Sequence, residues 1–202
     1  MNAVARHYHR HAERLARSYR DVSFETVHSP LLKYLPCRRS RIIDIGAGAG
    51  RDAYALAELG YDVTAVEPSA EMRRVGQLEE GVAQVTWMDD SLPALMSVRA
   101  TGEAFRFILC SAVLMHLPGR LLVASFEAMH AIAEYDAVLA VTVRNPLPSD
   151  PPGVFHHHCR ETIVDAAAKA GFALMEDGTN VDVFRRSEAN WSWFVFKAGS
   201  ST

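Results

Sequence analysis

The sequence predicts an α/β protein with a doubly wound, seven-stranded, mostly parallel sheet whose last strand is antiparallel, and with a helical cap at the N-terminus. From residue 41 onward, short apolar runs alternate with helical patterns, which is typical of βαβ units. Residues 138–143 form an almost continuous apolar run, as expected for a strand buried on both faces. The first predicted strand leads through a glycine-spaced turn into a helix, so a ligand is expected at the carboxyl ends of the strands.

Residues 1–40 are predicted to form the helical cap, and residues 41–202 the main domain of a single compact protein. Five arginines near the N-terminus recur at roughly helical spacing, and apolar residues lie between them. The arginines are Arg6, Arg10, Arg14, Arg17 and Arg20. This pattern favours an amphipathic helix with a solvated basic face, and a basic site for an acidic partner is the alternative. Residues 24–35 follow as a second, helical or irregular segment that is closed by Pro36.

The main domain begins with five predicted strands that alternate with helices. The strands cover residues 41–45, 62–67, 82–88, 105–111 and 138–143, and the helices between them cover residues 52–59, 69–78, 92–99 and 120–134. Gly60 and Gly81 follow the first two helices, and Ser69 is placed to cap the second. The last part of the chain adds a helix and two strands that form an antiparallel hairpin: residues 161–170, 172–176 and 191–197.

Composition excludes several classes of protein. The apolar content of 49%, the charged content of 22% and the formal net charge of -3 are ordinary for a globular protein and give no general attraction to nucleic acid or anionic lipid. Three cysteines without CxxC spacing indicate neither a disulfide framework nor a cysteine zinc site. We expect a cytoplasmic protein without a signal peptide or a membrane helix.

A glycine-spaced turn and an acidic strand end indicate a nucleoside site. Gly46, Gly48 and Gly50 follow the first predicted strand, where they let the backbone approach a ligand closely. Glu67 ends the second strand, and a carboxylate there can accept the hydroxyl hydrogens of a ribose. Arg51 occupies the position where a dinucleotide turn has its third glycine, so the spacing favours a nucleoside without phosphate.

The segment Asp44-Ile45-Gly46-Ala47-Gly48-Ala49-Gly50, together with Glu67, resembles the S-adenosylmethionine site of class I methyltransferases. The resemblance extends from about Ile42 to Lys197. It implies S-adenosylmethionine as the cofactor, a cationic ligand that suits nearby carboxylates. It also implies a cofactor site built from residues at four strand ends: Asp44, Gly46, Ala47, Gly48, Gly50, Arg51, Glu67, Pro68, Asp89, Asp90, Cys110 and Ser111.

Within that site, the resemblance implies a role for each strand end. Glu67 would hold the ribose hydroxyls, and the end of the fourth strand would face the methionine portion. Asp89 or Asp90 would bind the adenine amino group, with Asp89 preferred, and a helix cap is the alternative for either. Arg51 would pair with the carboxylate of the methionine tail or lie exposed.

His116 follows the fourth strand, near the place where a methyl acceptor would approach. A neutral imidazole there could act as a general base, and a hydrogen bond to nearby backbone is the alternative. Positioning of the acceptor can supply much of the rate by itself. We expect a small-molecule acceptor that is methylated on oxygen or nitrogen, because no further domain is predicted that could grip a polymer.

Other functions receive less support from the sequence. His156-His157-His158-Cys159 holds four adjacent metal-binding residue types, but adjacent side chains cannot easily converge on one ion, so we predict no metal site and assign this loop to substrate selection. The sequence after the fourth strand lacks the motifs of DNA methyltransferases. The arginine-rich segment near the N-terminus gives weak support to RNA as a partner. The alternatives are a non-catalytic S-adenosylmethionine-binding protein or subunit and an NAD-dependent oxidoreductase. The sequence gives no oligomeric state.

Overall fold

The computed structural model describes residue 4 and residues 22–78, 84–183 and 189–199, and seven strands in this part of the chain form one sheet. The strands are β1 (Arg41–Ile45), β2 (Asp62–Val66), β3 (Thr86–Met88), β4 (Phe105–Ser111), β5 (Ala133–Arg144), β6 (Phe172–Val181) and β7 (Asn190–Ala198). Their order across the sheet is β3-β2-β1-β4-β5-β7-β6. Strands β1 to β5 pair in parallel, and β7 pairs antiparallel with both β5 and β6. The predicted fold class is confirmed.

Helices cover both faces of this sheet. The α-helices are α1 (Phe24–His28), α2 (Arg51–Glu58), α3 (Ala70–Gln77), α4 (Met96–Ala100), α5 (Leu122–His130) and α6 (Arg160–Lys169). Short 3-10 helices cover Leu32–Tyr34, Leu114–His116 and Gly119–Leu121. Successive residues of a strand face opposite sides, so Ile42 packs with α1 and α2, whereas Ile43 packs with α4, α5 and α6. The sheet is therefore buried between two apolar cores.

Several element boundaries differ from the prediction, and β3 covers only Thr86–Met88 of the predicted residues 82–88. The predicted helix at residues 120–134 ends at His130, and β5 begins at Ala133, five residues before the predicted strand. The first residues of β5 are polar and partly exposed, Asp136 has a positive φ of 60°, and the pairing with β4 shifts register there. A bulged strand end of this kind lacks the apolar run that strand prediction relies on. Strands β6 and β7 also extend further than predicted, to Val181 and from Asn190.

Helix α3 begins where the sequence predicts a helix start. The Ser69 side chain accepts a hydrogen bond from the backbone N–H of Met72 at 3.3 Å, which satisfies one of the unpaired donors at a helix start. The helix predicted at residues 92–99 starts later than expected, at Met96, because residues 92–94 form a turn. The five arginines of the predicted N-terminal helix lie outside the described residues, and so does Gly81.

Gly76 in α3 allows the helix to pack against Trp87 of β3. A Cβ atom at Gly76 would lie 2.7 Å from the Trp87 ring and 3.0 Å from the carbonyl oxygen of Ala49. The indole cannot move away freely, because it also contacts Gly50 and its Nε1 donates to the Tyr54 hydroxyl at 3.4 Å. The glycine therefore fixes the distance between α3 and the turn after β1.

We predict that Gly76→Ala lowers the free energy of unfolding by about 1–3 kcal/mol, because the added methyl group overpacks this contact. Urea denaturation followed by circular dichroism measures the change. Gly119→Ala is the matched control: no atom lies within 4 Å of a Cβ at Gly119, so its stability should stay within about 0.5 kcal/mol of the wild type. Equal stability of the two variants would contradict this packing.

Candidate functional site

A cavity of about 360 Å³ crosses the carboxyl ends of the parallel strands. It begins at the glycine turn after β1, passes the ends of β2 and β4, and reaches the end of β5 and the start of β7. Nine of the predicted site residues line it: Gly46, Ala47, Gly48, Arg51, Glu67, Pro68, Asp90, Ser111 and His116. The cavity therefore joins residues from strand ends that are far apart in sequence.

The turn after β1 depends on left-handed glycines. Gly46, Gly48 and Gly50 have φ values of 77°, 59° and 87°, a region that other residues adopt only at a cost in energy. A Cβ at Gly46 would also overlap the side chain of Val113. The backbone N–H groups of Gly46 and Ala47 donate to the Val66 carbonyl at 2.7 and 3.0 Å, so the turn is tied to the end of β2.

Glu67 is held in place by the backbone of two loops. Its carboxylate accepts hydrogen bonds from the N–H groups of Gly48 at 3.0 Å and Ser69 at 2.8 Å. Burial raises the pKa of Glu67, and these two hydrogen bonds oppose that rise because they stabilise the ionised form. The side chain is thus a buried acceptor on the wall of the cavity.

The two aspartates after β3 point in different directions. Asp89, which the sequence analysis preferred for binding adenine, is 70% exposed, pairs with Arg73 at 2.8 Å and does not line the cavity. Asp90 lines the cavity and also caps α4: its Oδ2 accepts from the backbone N–H groups of Ser97 at 2.7 Å and Val98 at 3.0 Å. Asp90 thus binds the start of a helix, as the alternative role proposed, but this helix begins at Met96 and not at residue 92.

Three other predicted site residues are buried beside the cavity and do not line it. Asp44 is buried, and burial together with the nearby charge of Asp52 raises its pKa well above the usual range. Cys110 is fully buried in the core, where burial raises the pKa of its thiol. Gly50 packs against aromatic side chains of α2 and β3. These three residues support the turn and the strand ends from the buried interior of the protein.

A buried charged cluster that the sequence analysis missed adjoins the glycine turn. The Asp52 carboxylate accepts two hydrogen bonds from Arg51, at 2.7 and 2.8 Å, and lies 2.9 Å from Nε2 of His28. Burial opposes ionisation of Asp52, but the charges and hydrogen bonds of His28 and Arg51 outweigh it and keep the pKa of Asp52 below its usual range. Arg51 and Asp52 both line the cavity.

At the other end of the cavity, His116 is fixed by the loop after β5. Its Nδ1 lies 2.8 Å from the carbonyl oxygen of Val154, and its ring lies 4.6 Å from the ring of Phe155. Because a carbonyl can only accept, Nδ1 carries the proton, and in the neutral ring Nε2 is the basic nitrogen. The backbone hydrogen bond expected as the alternative role is therefore present.

Arg144 supports the same loop from the end of β5. It forms a bidentate pair with Asp150 at 2.7 and 2.8 Å, and its guanidinium lies 4.1 Å from the centre of the Phe155 ring. The Arg144 side chain is 5% exposed and that of Asp150 13%. Such a pair is costly to break, because the remaining partner would be a buried charge.

Two tryptophans of β7 complete the wall at this end. Trp191 lies opposite Arg144 in the sheet and Trp193 opposite Thr142, so all four side chains share one face. The indole N–H of Trp191 donates to Asp182 at 2.7 Å. The pattern Trp-Ser-Trp in a predicted strand already indicates that both rings share one face, but not that this face lines a cavity.

The histidine-rich segment lies next to the cavity but does not line it. Nε2 of His158 donates to the carbonyl oxygens of Leu114 and Leu117, at 3.1 and 3.0 Å, and burial lowers the pKa of His158. The ring of His156 stacks on that of His158. Within the described ranges, no three His, Cys, Asp or Glu side chains are grouped so that they could hold a metal ion. None of the helices described there is long and apolar enough to cross a membrane.

We predict that Asp150→Ala lowers the free energy of unfolding by about 3–5 kcal/mol, because it leaves the Arg144 guanidinium buried without its counter-charge. The control is Asp177→Ala, which breaks the exposed pair with Arg160 and should cost less than about 1 kcal/mol. Urea denaturation of both variants gives the comparison. Similar losses would show that the Arg144–Asp150 pair does not hold the loop.

Comparison with known proteins gives a family and a fold. Residues 42–145, just over half of the chain, match the family described as "Methyltransferase domain". The ubiquinone biosynthesis O-methyltransferase of Xylella fastidiosa is 32% identical over 87 residues, which are 43% of this chain and 35% of that enzyme. The chain thus matches about a third of the length of this curated relative.

Two solved structures share the fold at low sequence identity. The 1,6-didemethyltoxoflavin-N1-methyltransferase of Burkholderia thailandensis, with its substrate and S-adenosylhomocysteine bound, has a TM-score of 0.74 at 16% identity over 97% of this chain and 87% of that one. The S-adenosylmethionine-dependent methyltransferase of Methanosarcina mazei has a TM-score of 0.71 at 14% identity over 85% and 98%. The chain belongs to the methyltransferase domain family, and its resemblance to the class I S-adenosylmethionine-dependent methyltransferases is confirmed.

Proposed function

We propose that the protein transfers a methyl group from S-adenosylmethionine to an oxygen or nitrogen atom of a small-molecule acceptor. One observation carries this proposal: a single cavity connects a left-handed glycine turn and a buried carboxylate at one end with an imidazole and aromatic side chains at the other. The first end suits an adenosyl group without phosphate, and the second suits a small acceptor. The ubiquinone biosynthesis O-methyltransferase and the 1,6-didemethyltoxoflavin-N1-methyltransferase described above support the proposal of a small-molecule acceptor.

At the cofactor end, Glu67 would bind the ribose. Each of its oxygens already accepts one backbone N–H group, and an ionised carboxylate has about four acceptor positions, so capacity remains for the two ribose hydroxyls. Gly46, Ala47 and Gly48 would lie against the ligand, with Pro68 and Asp90 on the adenine side. Ser111, whose hydroxyl is 2.8 Å from that of Thr142, would face the methionine portion.

At the acceptor end, His116 would be the general base. When bound, S-adenosylmethionine would supply a methyl group on a cationic sulfur, and the cavity would hold the acceptor oxygen or nitrogen against that group. The proton of the acceptor passes to Nε2 of His116 and then to solvent. Holding the two reactants in line supplies a large share of the rate, which is the role we assign to the loop of Val154 and Phe155.

We propose further that residues 1–40 form a cap over this cavity and residues 41–202 the cofactor-binding domain. Val4 and Val27 line the cavity together with residues from the strand ends, which supports a covering role for the N-terminal segment.

The three cysteines, Cys37, Cys110 and Cys159, are all free thiols. Free thiols fit a reducing compartment, so we propose the cytoplasm as the location.

We predict that the protein binds S-adenosylhomocysteine and not NAD, and that Glu67→Gln weakens this binding. Loss of the charged acceptor should cost about 1.5–3 kcal/mol for the ribose hydrogen bonds, which is roughly 10–150-fold in Kd. Isothermal titration calorimetry measures both ligands. Glu71→Gln is the control, since Glu71 pairs with Arg74 on the surface and does not line the cavity. Unchanged affinity in Glu67→Gln would contradict the placement of the ribose.

We predict that His116→Ala lowers kcat by about 10²-fold or more, because it removes the base, and leaves the affinity for S-adenosylhomocysteine unchanged, because His116 lies at the acceptor end of the cavity. Turnover is measured as release of S-adenosylhomocysteine against a panel of small phenols, carboxylates and heteroaromatic amines. His157→Ala is the control, because His157 is exposed and outside the cavity. Cofactor binding without turnover on any acceptor would favour the non-catalytic alternative.

A further inference from the structure

We propose that His28 is a positioning residue for the cofactor, which acts through Asp52 to hold the Arg51 guanidinium against the carboxylate of the methionine tail. This inference rests on the proposed function, because it assumes that the adenosyl ligand occupies the cavity. His28 ends α1, in the N-terminal segment, and lies 24 residues before Asp52. It does not line the cavity itself.

The three side chains form a continuous chain of short contacts. Nε2 of His28 lies 2.9 Å from Oδ2 of Asp52, and the Arg51 guanidinium reaches Oδ1 through Nε at 2.7 Å and Oδ2 through an Nη at 2.8 Å. The His28 side chain is fully buried, and those of Asp52 and Arg51 are 9% and 21% exposed. The contacts therefore run from the buried interior to the wall of the cavity.

The arrangement needs a third partner, because neighbouring residues on a helix do not face each other. Arg51 and Asp52 are consecutive at the start of α2, so their pairing requires the arginine to fold back onto the carboxylate. A carboxylate bound only by that arginine could rotate together with it. The hydrogen bond from His28 gives the Asp52 carboxylate a second partner on another helix, which restricts its rotation and, through it, that of the guanidinium.

The position of this cluster points to the amino-acid tail of the ligand. Glu67 and the glycine turn define where the ribose would lie, and α2 begins at the other end of that turn. Among the described residues that line the cavity, the arginines are Arg51 and Arg144. Arg51 directly follows the glycine turn, whereas Arg144 lies at the end of β5, at the acceptor end. A guanidinium is the side chain best suited to a carboxylate, which it can bind through two N–H groups.

One further feature supports a functional reason for the histidine. In the described part of the chain, Nδ1 of His28 is buried without a hydrogen-bond partner. Leaving a buried polar atom unsatisfied is unfavourable, and an apolar residue would avoid that cost beside Phe24, whose ring lies 5.0 Å away. The bond made by Nε2 is what the histidine provides at this site.

The test compares two ligands that differ in the tail alone. S-adenosylhomocysteine carries the amino-acid tail, whereas 5′-methylthioadenosine keeps the adenosine and the thioether and lacks it. We expect His28→Leu to weaken binding of S-adenosylhomocysteine by about tenfold and to leave the affinity for 5′-methylthioadenosine within about twofold. His28→Gln should recover most of the loss, because its amide N–H can reach Asp52 from a similar position.

The controls separate this role from a general effect on folding. His130→Leu replaces a histidine of α5 on the opposite face of the sheet, where Nε2 is likewise without a partner, and should leave both affinities unchanged. If His28→Leu does not fold, Asp52→Asn replaces it, since it keeps the shape of the side chain and removes the charge. In an Arg51→Gln background, either change should cause no further loss of S-adenosylhomocysteine affinity, because the positioned group is already absent.

Two results would overturn the inference. Equal loss of both ligands in His28→Leu and Asp52→Asn would show that the cluster supports the fold of the site and not the tail. Additive losses in the Arg51→Gln background would show that His28 does not act through Arg51. Failure of the wild-type protein to bind either ligand would instead overturn the proposed function and, with it, this inference.

Discussion

The structure depends on how the turn after β1 is attached to the end of β2. Two N–H groups of the turn donate to the Val66 carbonyl, and a third, from Gly48, donates to the Glu67 carboxylate. These bonds satisfy backbone donors that would otherwise be unpaired at a buried strand end. They also bring the Glu67 carboxylate next to the glycine turn, where the backbone carries few side chains. The cavity, the start of α2 and the orientation of Glu67 all follow from this attachment.

Charged side chains on the wall of the cavity are paired with other side chains of the protein. Asp52 is bound by Arg51 at the cavity wall and by His28 in the interior, and Arg144 is bound by Asp150 of the following loop. Buried charges are tolerated only in such arrangements. The consequence is that the groups on the wall are already oriented before a ligand arrives, and this lowers the entropy cost of binding.

The loop after β5 connects the fold to the proposed chemistry. Arg144 stacks on Phe155, Phe155 packs on His116, and the carbonyl of Val154 selects the tautomer of that histidine. Each contact is local, yet together they link the acceptor end of the sheet to the segment after β4. A change at Asp150 can therefore affect His116 through Arg144 and Phe155.

The sequence by itself determined the features that depend on neighbouring residues. Alternating apolar runs predicted the strands, and the spacing of Gly46, Gly48 and Gly50 with Glu67 predicted the family, because these signals are local in the chain. It could not predict the bulged start of β5, nor which of Asp89 and Asp90 turns inward, since both depend on packing against other elements. Only the tertiary structure brought His28 to Asp52 and Val154 to His116, across 24 and 38 residues. Side-chain contacts at such separations are set by how helices and loops pack on the sheet, and no local pattern encodes them.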